Sequence, residues 1–231
     1  DAYFHVPVHP HSRHLLRFCF HGQVWQFKAL PFGLSTSPRV FTKILRPVLG
    51  YAHLHGVQLH MYLDDWLVNP MTKELAEQQT QFLLELCRKL GWVVNLEKSD
   101  LIPSQQSVYL GVHIDTAIGL ARPSDKRLDK WFSLVRVFQA KLAPPACQWL
   151  QILGHLTSLE KLVPYGRLRI RPLQWQLRLN WTQSFNNPSL PVPLDPRSRE
   201  CLAWWTSMDN VTKGVPLGTL EVDWYLFTDG S

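Results

Sequence analysis

The chain has 231 residues, 45% hydrophobic and 18% charged, with 24 Lys and Arg against 18 Asp and Glu. Its apolar content is enough for a sizeable core and excludes a compositionally disordered chain, and its length suits one large domain or two smaller ones. The best apolar run, residues 58–68, is broken by Asp64 and Asp65, so nothing reaches membrane-spanning length, and the start carries no charged-then-apolar targeting segment. The chain opens without Met on Asp1-Ala2-Tyr3-Phe4, which reads as a strand, so a fragment of a longer polypeptide is expected.

In chain order, residues 14–20 and 23–27 are β-rich runs joined by His21-Gly22, the pattern of a hairpin. Ser37-Pro38 reads as a helix start, Ser as N-cap and Pro at the first helical position. Val40, Phe41, Ile44, Leu45 and Val48 then recur at helical spacing, with Pro47 expected to kink or end the helix. Residues 59–68 read as a second hairpin around Asp64-Asp65. Residues 72–90 form the clearest helix, with Leu75, Phe82, Leu83, Leu86 and Leu90 on one side and Gly91 closing it. Residues 108–114 suggest a short strand pair or a turn-rich strand containing Gly111. From Ser124 a long helical pattern carries Leu128, Trp131, Val135, Phe138 and Leu142 as its apolar stripe, with Lys126, Arg127, Lys130, Arg136 and Lys141 on other faces. Pro144-Pro145 breaks it, and residues 150–162 read as another helix. A basic tract follows at Arg167, Arg169, Arg171 and Arg178. Residues 182–199, rich in Pro, Asn and Ser, read as a linker, and an apolar strand at 224–227 precedes Thr228-Asp229-Gly230-Ser231.

The four cysteines, Cys19, Cys87, Cys147 and Cys201, form no Cys-x-x-Cys pair, which argues against a zinc site or a disulfide framework and for a reducing compartment. The net charge of +6 is uneven. Residues 1–116 hold ten Lys and Arg against nine Asp and Glu, 117–200 hold thirteen against five, and 201–231 hold one against four. The middle segment is thus a candidate polyanion-binding surface, or equally a solvated helical face.

The sharpest chemical feature is Tyr62-Leu63-Asp64-Asp65. Two adjacent carboxylates between apolar runs are expected at the tip of a buried hairpin, where their repulsion and desolvation would be relieved by a divalent cation. Oxygen ligands suit Mg²⁺, and two-metal nucleotidyl transfer needs such carboxylates. Taken alone, Asp-Asp is more readily a polar β-turn, because Asp-rich hairpin turns are common.

The surrounding residues carry a resemblance. Leu30-Pro31-Phe32-Gly33-Leu34-Ser35-Thr36-Ser37-Pro38-Arg39-Val40-Phe41 and Asp1-Ala2-Tyr3-Phe4 lie upstream, and Asn95-Leu96-Glu97-Lys98 and Tyr109-Leu110-Gly111 lie downstream. This ordered set resembles the palm of a reverse transcriptase, from Asp1 to Val112 by motif and more weakly onward. Its wording looks most like DIRS-type retrotransposons, which carry a tyrosine recombinase, with Ty3-like elements second. The resemblance implies an α+β right-hand polymerase fold. It would comprise a palm of ferredoxin-like antiparallel sheet and helices with part of the fingers (1–116), a basic helical thumb (117–181), a connection (182–223) and the first strand of a ribonuclease H-like domain (224–231).

It also implies roles. Asp64 and Asp65 match the metal-binding catalytic pair, and Tyr62 and Leu63 the lining of the primer terminus and nucleotide sugar. Asp1 and Ala2 match the backbone that holds the incoming triphosphate, and Tyr3 the aromatic gate against a ribose 2′-hydroxyl; otherwise Tyr3 is an ordinary core aromatic. Phe32 and Gly33 match the loop against nucleotide and template. Lys98 matches a lysine near the leaving pyrophosphate, where it could act as a general acid, or else is a solvated surface residue. Leu110 and Gly111 match the primer grip. Asp229 in Thr-Asp-Gly-Ser matches a ribonuclease H metal ligand, or a strand-ending turn. The family's first catalytic Asp lies three residues before the position of Asp1, so Asp1 is not that ligand. A fragment lacking it and most of the fingers is expected to be inactive alone.

The implied activity is RNA-directed DNA polymerisation with two Mg²⁺ ions (Mn²⁺ as an alternative). The implied partners are an RNA template, a DNA primer, their hybrid and deoxynucleoside triphosphates, with no membrane partner and an intracellular, cytoplasmic or nuclear setting. The rival reading is a catalytically dead nucleic-acid-binding remnant of a decayed or domesticated element; a DNA-only or telomerase-like polymerase ranks third.

Overall fold

The computed structural model describes residues 2–181 and 187–218. It divides into two compact units, residues 1–104 and 105–231.

The first unit begins with a 3₁₀ turn, Ala2–His5, where a strand was expected. Ala2, Tyr3 and Val6 all face one apolar cluster. That one-then-three spacing is helical rather than alternating, and the Val6 N–H closes the turn on the Tyr3 carbonyl at 3.0 Å. A second 3₁₀ stretch, Pro10–Leu16, takes up residues expected as strand, leaving β1 (Arg17–Phe20) and β2 (Gln23–Gln26) as a short antiparallel hairpin. Its turn is His21-Gly22, both at positive φ (49° and 73°), as a tight two-residue hairpin requires.

Helix α1 (Ser37–Leu54) starts with Thr36 at the N-cap, one residue earlier than expected. Ser37 is fully buried, and its hydroxyl donates to the Pro31 carbonyl at 2.7 Å instead of capping the helix. Pro47 does not end the helix, which continues through it for two further turns. Pro47 and Lys43, whose carbonyl the proline leaves without its usual donor, are both exposed to water. On the opposite face Leu45 and Ala52 are buried either side of the proline and hold the helix to the core.

Strands β3 (Leu59–Tyr62) and β4 (Asp65–Val68) pair as the expected hairpin. Helix α2 (Lys73–Lys89) is capped by Thr72, whose hydroxyl accepts from the Leu75 N–H, and Gly91 follows at φ 76°. Its buried positions are Leu83 and Cys87, whereas Leu75 and Leu90, expected in the apolar stripe, are exposed. A 3₁₀ turn, Leu96–Lys98, closes the unit's described elements. The strands of this unit form two separate two-stranded sheets.

In the second unit β5 (Gln106–Tyr109), β6 (Val112–Asp115), β7 (Leu120–Pro123) and β8 (Val215–Pro216) form one antiparallel sheet in that order. Because β6 pairs with β7, the expected junction at 116/117 falls inside a sheet, and the hairpin 106–115 belongs with the helices that follow. Helices α3 (Asp125–Gln139), α4 (Ala146–Leu159), α5 (Gly166–Trp181), α6 (Pro196–Thr206) and α7 (Met208–Val211) make up the rest of its described elements.

Leu128, Trp131, Val135 and Phe138 of α3 are buried as the stripe predicts, while Leu142 lies beyond the helix end and is 84% exposed. Helix α4 starts at Ala146, four residues earlier than expected, immediately after Pro145. Trp131, Trp149 and Trp205 are fully buried, and each indole N–H finds a backbone carbonyl: Trp205 at 2.9 Å, Val192 at 3.2 Å and Arg169 at 3.4 Å respectively.

The segment expected as a linker is packed where it is described. Val192 and Leu194 are buried, and the Val192 and Leu194 N–H groups donate to Pro144 and Leu142, so residues 187–195 run against the start of α4. Its prolines block regular structure but leave carbonyls free to pair, and the apolar Val192 and Leu194 drive it inward.

Candidate active site

The register of the second hairpin pairs Tyr62 with Asp65, leaving Leu63 and Asp64 as its two-residue turn. Leu63 sits at φ 53°, a conformation that costs a branched residue about 1–2 kcal/mol. Two contacts hold it there. Its side chain packs on the cluster of Val6, Leu30, Phe41 and Leu45, and its carbonyl accepts from the Trp66 indole at 3.1 Å. The turn is thereby fixed from beneath, with Asp64 and Asp65 both exposed at its tip. The expectation of a buried, desolvated pair is not met: the apolar sides of the hairpin face the core, but its tip emerges into water.

Phe41, fully buried, is the centre around which the expected nucleotide-contacting residues gather. Tyr3 lies edge-on to it with ring centroids 5.2 Å apart, and Phe32 covers Tyr3 at 5.0 Å. Phe32 also meets Phe4 edge-on at 5.4 Å, and is itself 56% exposed. Ala2, Tyr3 and Leu63 share the same cluster, and Gly33 follows Phe32 at φ 82° in the loop that Ser37 ties down through Pro31. Tyr3 is therefore both a packed aromatic and a residue at the rim of an exposed aromatic surface.

Lys98 is exposed on its 3₁₀ turn, whose N-terminus Asn95 caps by accepting from the Lys98 backbone N–H at 3.2 Å. Among the described residues no ion pair joins its ammonium to Asp64. Leu110 and Gly111 form the β5–β6 turn, at φ 50° and 75°. The Gly111 carbonyl accepts from the Ser124 N–H at 3.0 Å, and Arg127 lies so close that a Cβ on Gly111 would stand 3.1 Å from its Cδ. Asp1 and Asp229 lie outside the described residues.

Sequence reasoning passed over Phe41 as a site-forming residue, and Trp66, Trp92 and Arg127 altogether as supports. Trp66 was within reach, since it follows Asp65 and points to the apolar face of the hairpin. Trp92, 5.8 Å from Phe41 and 6.1 Å from Trp66, joins the cluster from a distant part of the chain and left no local signal.

Among the described residues no three His, Cys, Asp or Glu side chains converge on a metal-sized site. Asp64 and Asp65 nevertheless offer two adjacent, water-open carboxylates. That donor set fits a hard divalent cation that keeps waters and takes substrate phosphates as its remaining ligands.

Residues 1–114 match the family model described as Reverse transcriptase (RNA-dependent DNA polymerase). The chain is 30% identical over 117 residues to the Gag-Pol polyprotein of Walleye dermal sarcoma virus, covering 48% of this chain and 6% of that one. It is 25% identical over 186 residues to the Transposon Tf2-3 polyprotein of Schizosaccharomyces pombe, covering 79% of this chain and 13% of that one. The chain thus spans a small part of the length of these relatives. Among solved structures it superposes on a foamy viral protease-reverse transcriptase in complex with double-stranded DNA. There the TM-score is 0.68 at 19% identity, over 89% of this chain and 34% of the other. It also superposes on the same kind of protein in complex with an RNA/DNA hybrid, at a TM-score of 0.65 and 19% identity, over 88% of this chain and 26% of the other. The chain has the α+β right-hand polymerase fold, its residues 1–114 match the reverse transcriptase family model, and the relatives it resembles are a viral Gag-Pol and a transposon polyprotein.

Proposed function

We propose that this domain serves RNA-directed DNA polymerisation, extending a DNA primer on an RNA template from deoxynucleoside triphosphates. The observation that carries it is the exposed Asp64-Asp65 tip, clamped by Leu63 and Trp66 onto the same cluster that seats Tyr3 and Phe32. In this reading the primer 3′-hydroxyl attacks the nucleotide α-phosphate and pyrophosphate leaves. Asp64 and Asp65 would hold Mg²⁺ or Mn²⁺, which when bound supplies charge neutralisation at the attacking and leaving oxygens. Tyr3, wedged between Phe32 and Phe41, fills the space a 2′-hydroxyl would need, and the backbone at Asp1 and Ala2 receives the triphosphate. Phe32 and Gly33 lie against nucleotide and template, Lys98 protonates the leaving pyrophosphate, and Leu110-Gly111 grips the primer strand.

The finer assignments rest on motif wording. These are a DIRS-like element, a palm with part of the fingers over 1–116, a thumb over 117–181, a connection over 182–223, and a ribonuclease H start at 224–231 with Asp229 as its metal ligand. The relatives' polyprotein context and the nucleic acids in the foamy viral complexes support template, primer and hybrid as partners.

Primer extension on an RNA template tests the reading, using the full-length retroelement protein that carries this domain. Asp64→Asn should lower extension by roughly 10²-fold or more with folding intact. Wild-type extension by Asp64→Asn would overturn the site.

A further inference from the structure

A groove of about 900 Å³ runs between α5 and α6 of the second unit. Arg169, Arg171 and Trp175 come from α5, and Arg197, Glu200 and Trp204 from α6. On α6 Arg197, Glu200 and Trp204 recur at three- and four-residue spacing, and on α5 Leu168, Arg171 and Trp175 do the same, with Arg169 at the edge of that stripe beside Trp204. The charge is unbalanced, with three guanidinium groups against one carboxylate, and none of the three arginines joins an ion pair among the described residues. Arg171 bonds only weakly to its neighbour Gln174, at 3.3 Å. The Arg169 guanidinium lies 5.1 Å over the Trp204 ring, a stacking that holds a flat cationic surface open to the groove. Trp175 is 58% exposed, and no ring or cation stacks on it among the described residues.

We propose that this groove binds single-stranded nucleic acid, with bases stacking on Trp175 and on the Arg169 guanidinium held over Trp204, and phosphates meeting Arg171 and Arg197. An exposed indole and a flat guanidinium beside uncompensated arginines meet the physical requirement for sequence-tolerant binding of unpaired strands, because every base has a π-face and every nucleotide a phosphate. A base-paired duplex keeps its bases stacked on each other and cannot use the Trp175 indole. The proposal rests on the reading of the second unit as a nucleic-acid-binding part of the domain, and adds to it a place and a strand preference.

The test uses the whole 231-residue chain and fluorescence anisotropy with three labelled probes: an oligothymidylate of about twelve nucleotides, an abasic strand of the same length, and an RNA–DNA hybrid. Oligothymidylate should bind about tenfold more tightly than the abasic strand. Trp175→Ala, at a largely exposed position, should remove that difference and leave hybrid binding unchanged, while Trp175→Phe retains it. Arg171→Ala should weaken both single strands and flatten the log–log salt slope by about 0.7, the share of one phosphate that is no longer neutralised. Oligothymidylate binding insensitive to Trp175→Ala, or displacement of the probe by poly-glutamate as readily as by nucleic acid, would overturn the groove while hybrid binding left the wider reading standing. A chain that bound none of the three probes would overturn both.

Discussion

Two glycines in the second unit should respond in opposite directions to the same substitution. Gly154 lies inside α4 on its exposed side, and a Cβ built there meets nothing within 4 Å. Gly154→Ala should therefore gain the helix-propensity difference, about 0.8–1 kcal/mol, and raise the unfolding midpoint by about 2–4 °C. Gly166 opens α5 against the end of α4, where a Cβ would stand 2.8 Å from the Glu160 carbonyl oxygen, 2.9 Å from its Cα and 3.1 Å from Trp205 Cη2. Two of those atoms are backbone, and the Glu160 N–H is bonded to Leu156 at 2.9 Å, so relief means moving the end of α4 or a fully buried indole. Overpacking of this kind costs about 1–3 kcal/mol, more than a propensity gain that is diminished at a first-turn position. Gly166→Ala should lower stability. Urea unfolding followed by fluorescence of the buried tryptophans reads both variants. A Gly166→Ala protein as stable as wild type would refute the close packing of α4 on α5, and a destabilised Gly154→Ala would refute the open surface at α4.

If the proposed function holds, Tyr3→Val in the full-length retroelement protein should raise ribonucleotide acceptance strongly, since it removes the ring wedged between Phe32 and Phe41; unchanged sugar discrimination in single-nucleotide insertion would sink the gate. Hybrid binding by the isolated chain should fall steeply from low to physiological salt. Each phosphate neutralised contributes about −0.9 to the log–log slope on duplex DNA, and a flat response would reduce the basic helices to a solvated face. Burial raises the Cys201 thiol from the ordinary value near 9 to about 11, against the opposing pull of Arg169 and Arg197. Its contribution to stability is full below the unfolded-state value and is lost as pH rises toward about 11. At pH 8 the exposed Cys19 and Cys147 should react with iodoacetamide well before Cys201, as peptide mass spectrometry would show.

Local chemistry carried a good part of this structure. His21-Gly22 and the turn at Gly111 follow because two residues between β-prone runs leave the backbone few other ways to reverse, while the second hairpin turns at Leu63-Asp64, one residue before the expected Asp64-Asp65. Thr72 and Gly91 bound α2, and the stripe from Leu128 to Phe138 is the buried face of α3, because capping groups and 3.6-residue periodicity act within one or two turns of chain. The carboxylate pair and the motifs around it were legible in the same way, as short words in order.

What the sequence left open depends on partners far away in the chain. Ala2–His5 reads as a strand until Leu30 and Phe41 offer a cluster that a helical turn reaches better. Pro47 stays inside α1 because it and Lys43, whose carbonyl it frees, are exposed to water while Leu45 and Ala52 are held on the other side. The proline-rich stretch after α5 became core because Pro144 and Leu142, some fifty residues earlier, present carbonyls to Val192 and Leu194. The exposure of Asp64 and Asp65 was likewise settled by tertiary packing. An apolar hairpin predicts that its sides are covered, but whether its tip is covered depends on what packs beyond Leu63 and Trp66, which no local pattern contains.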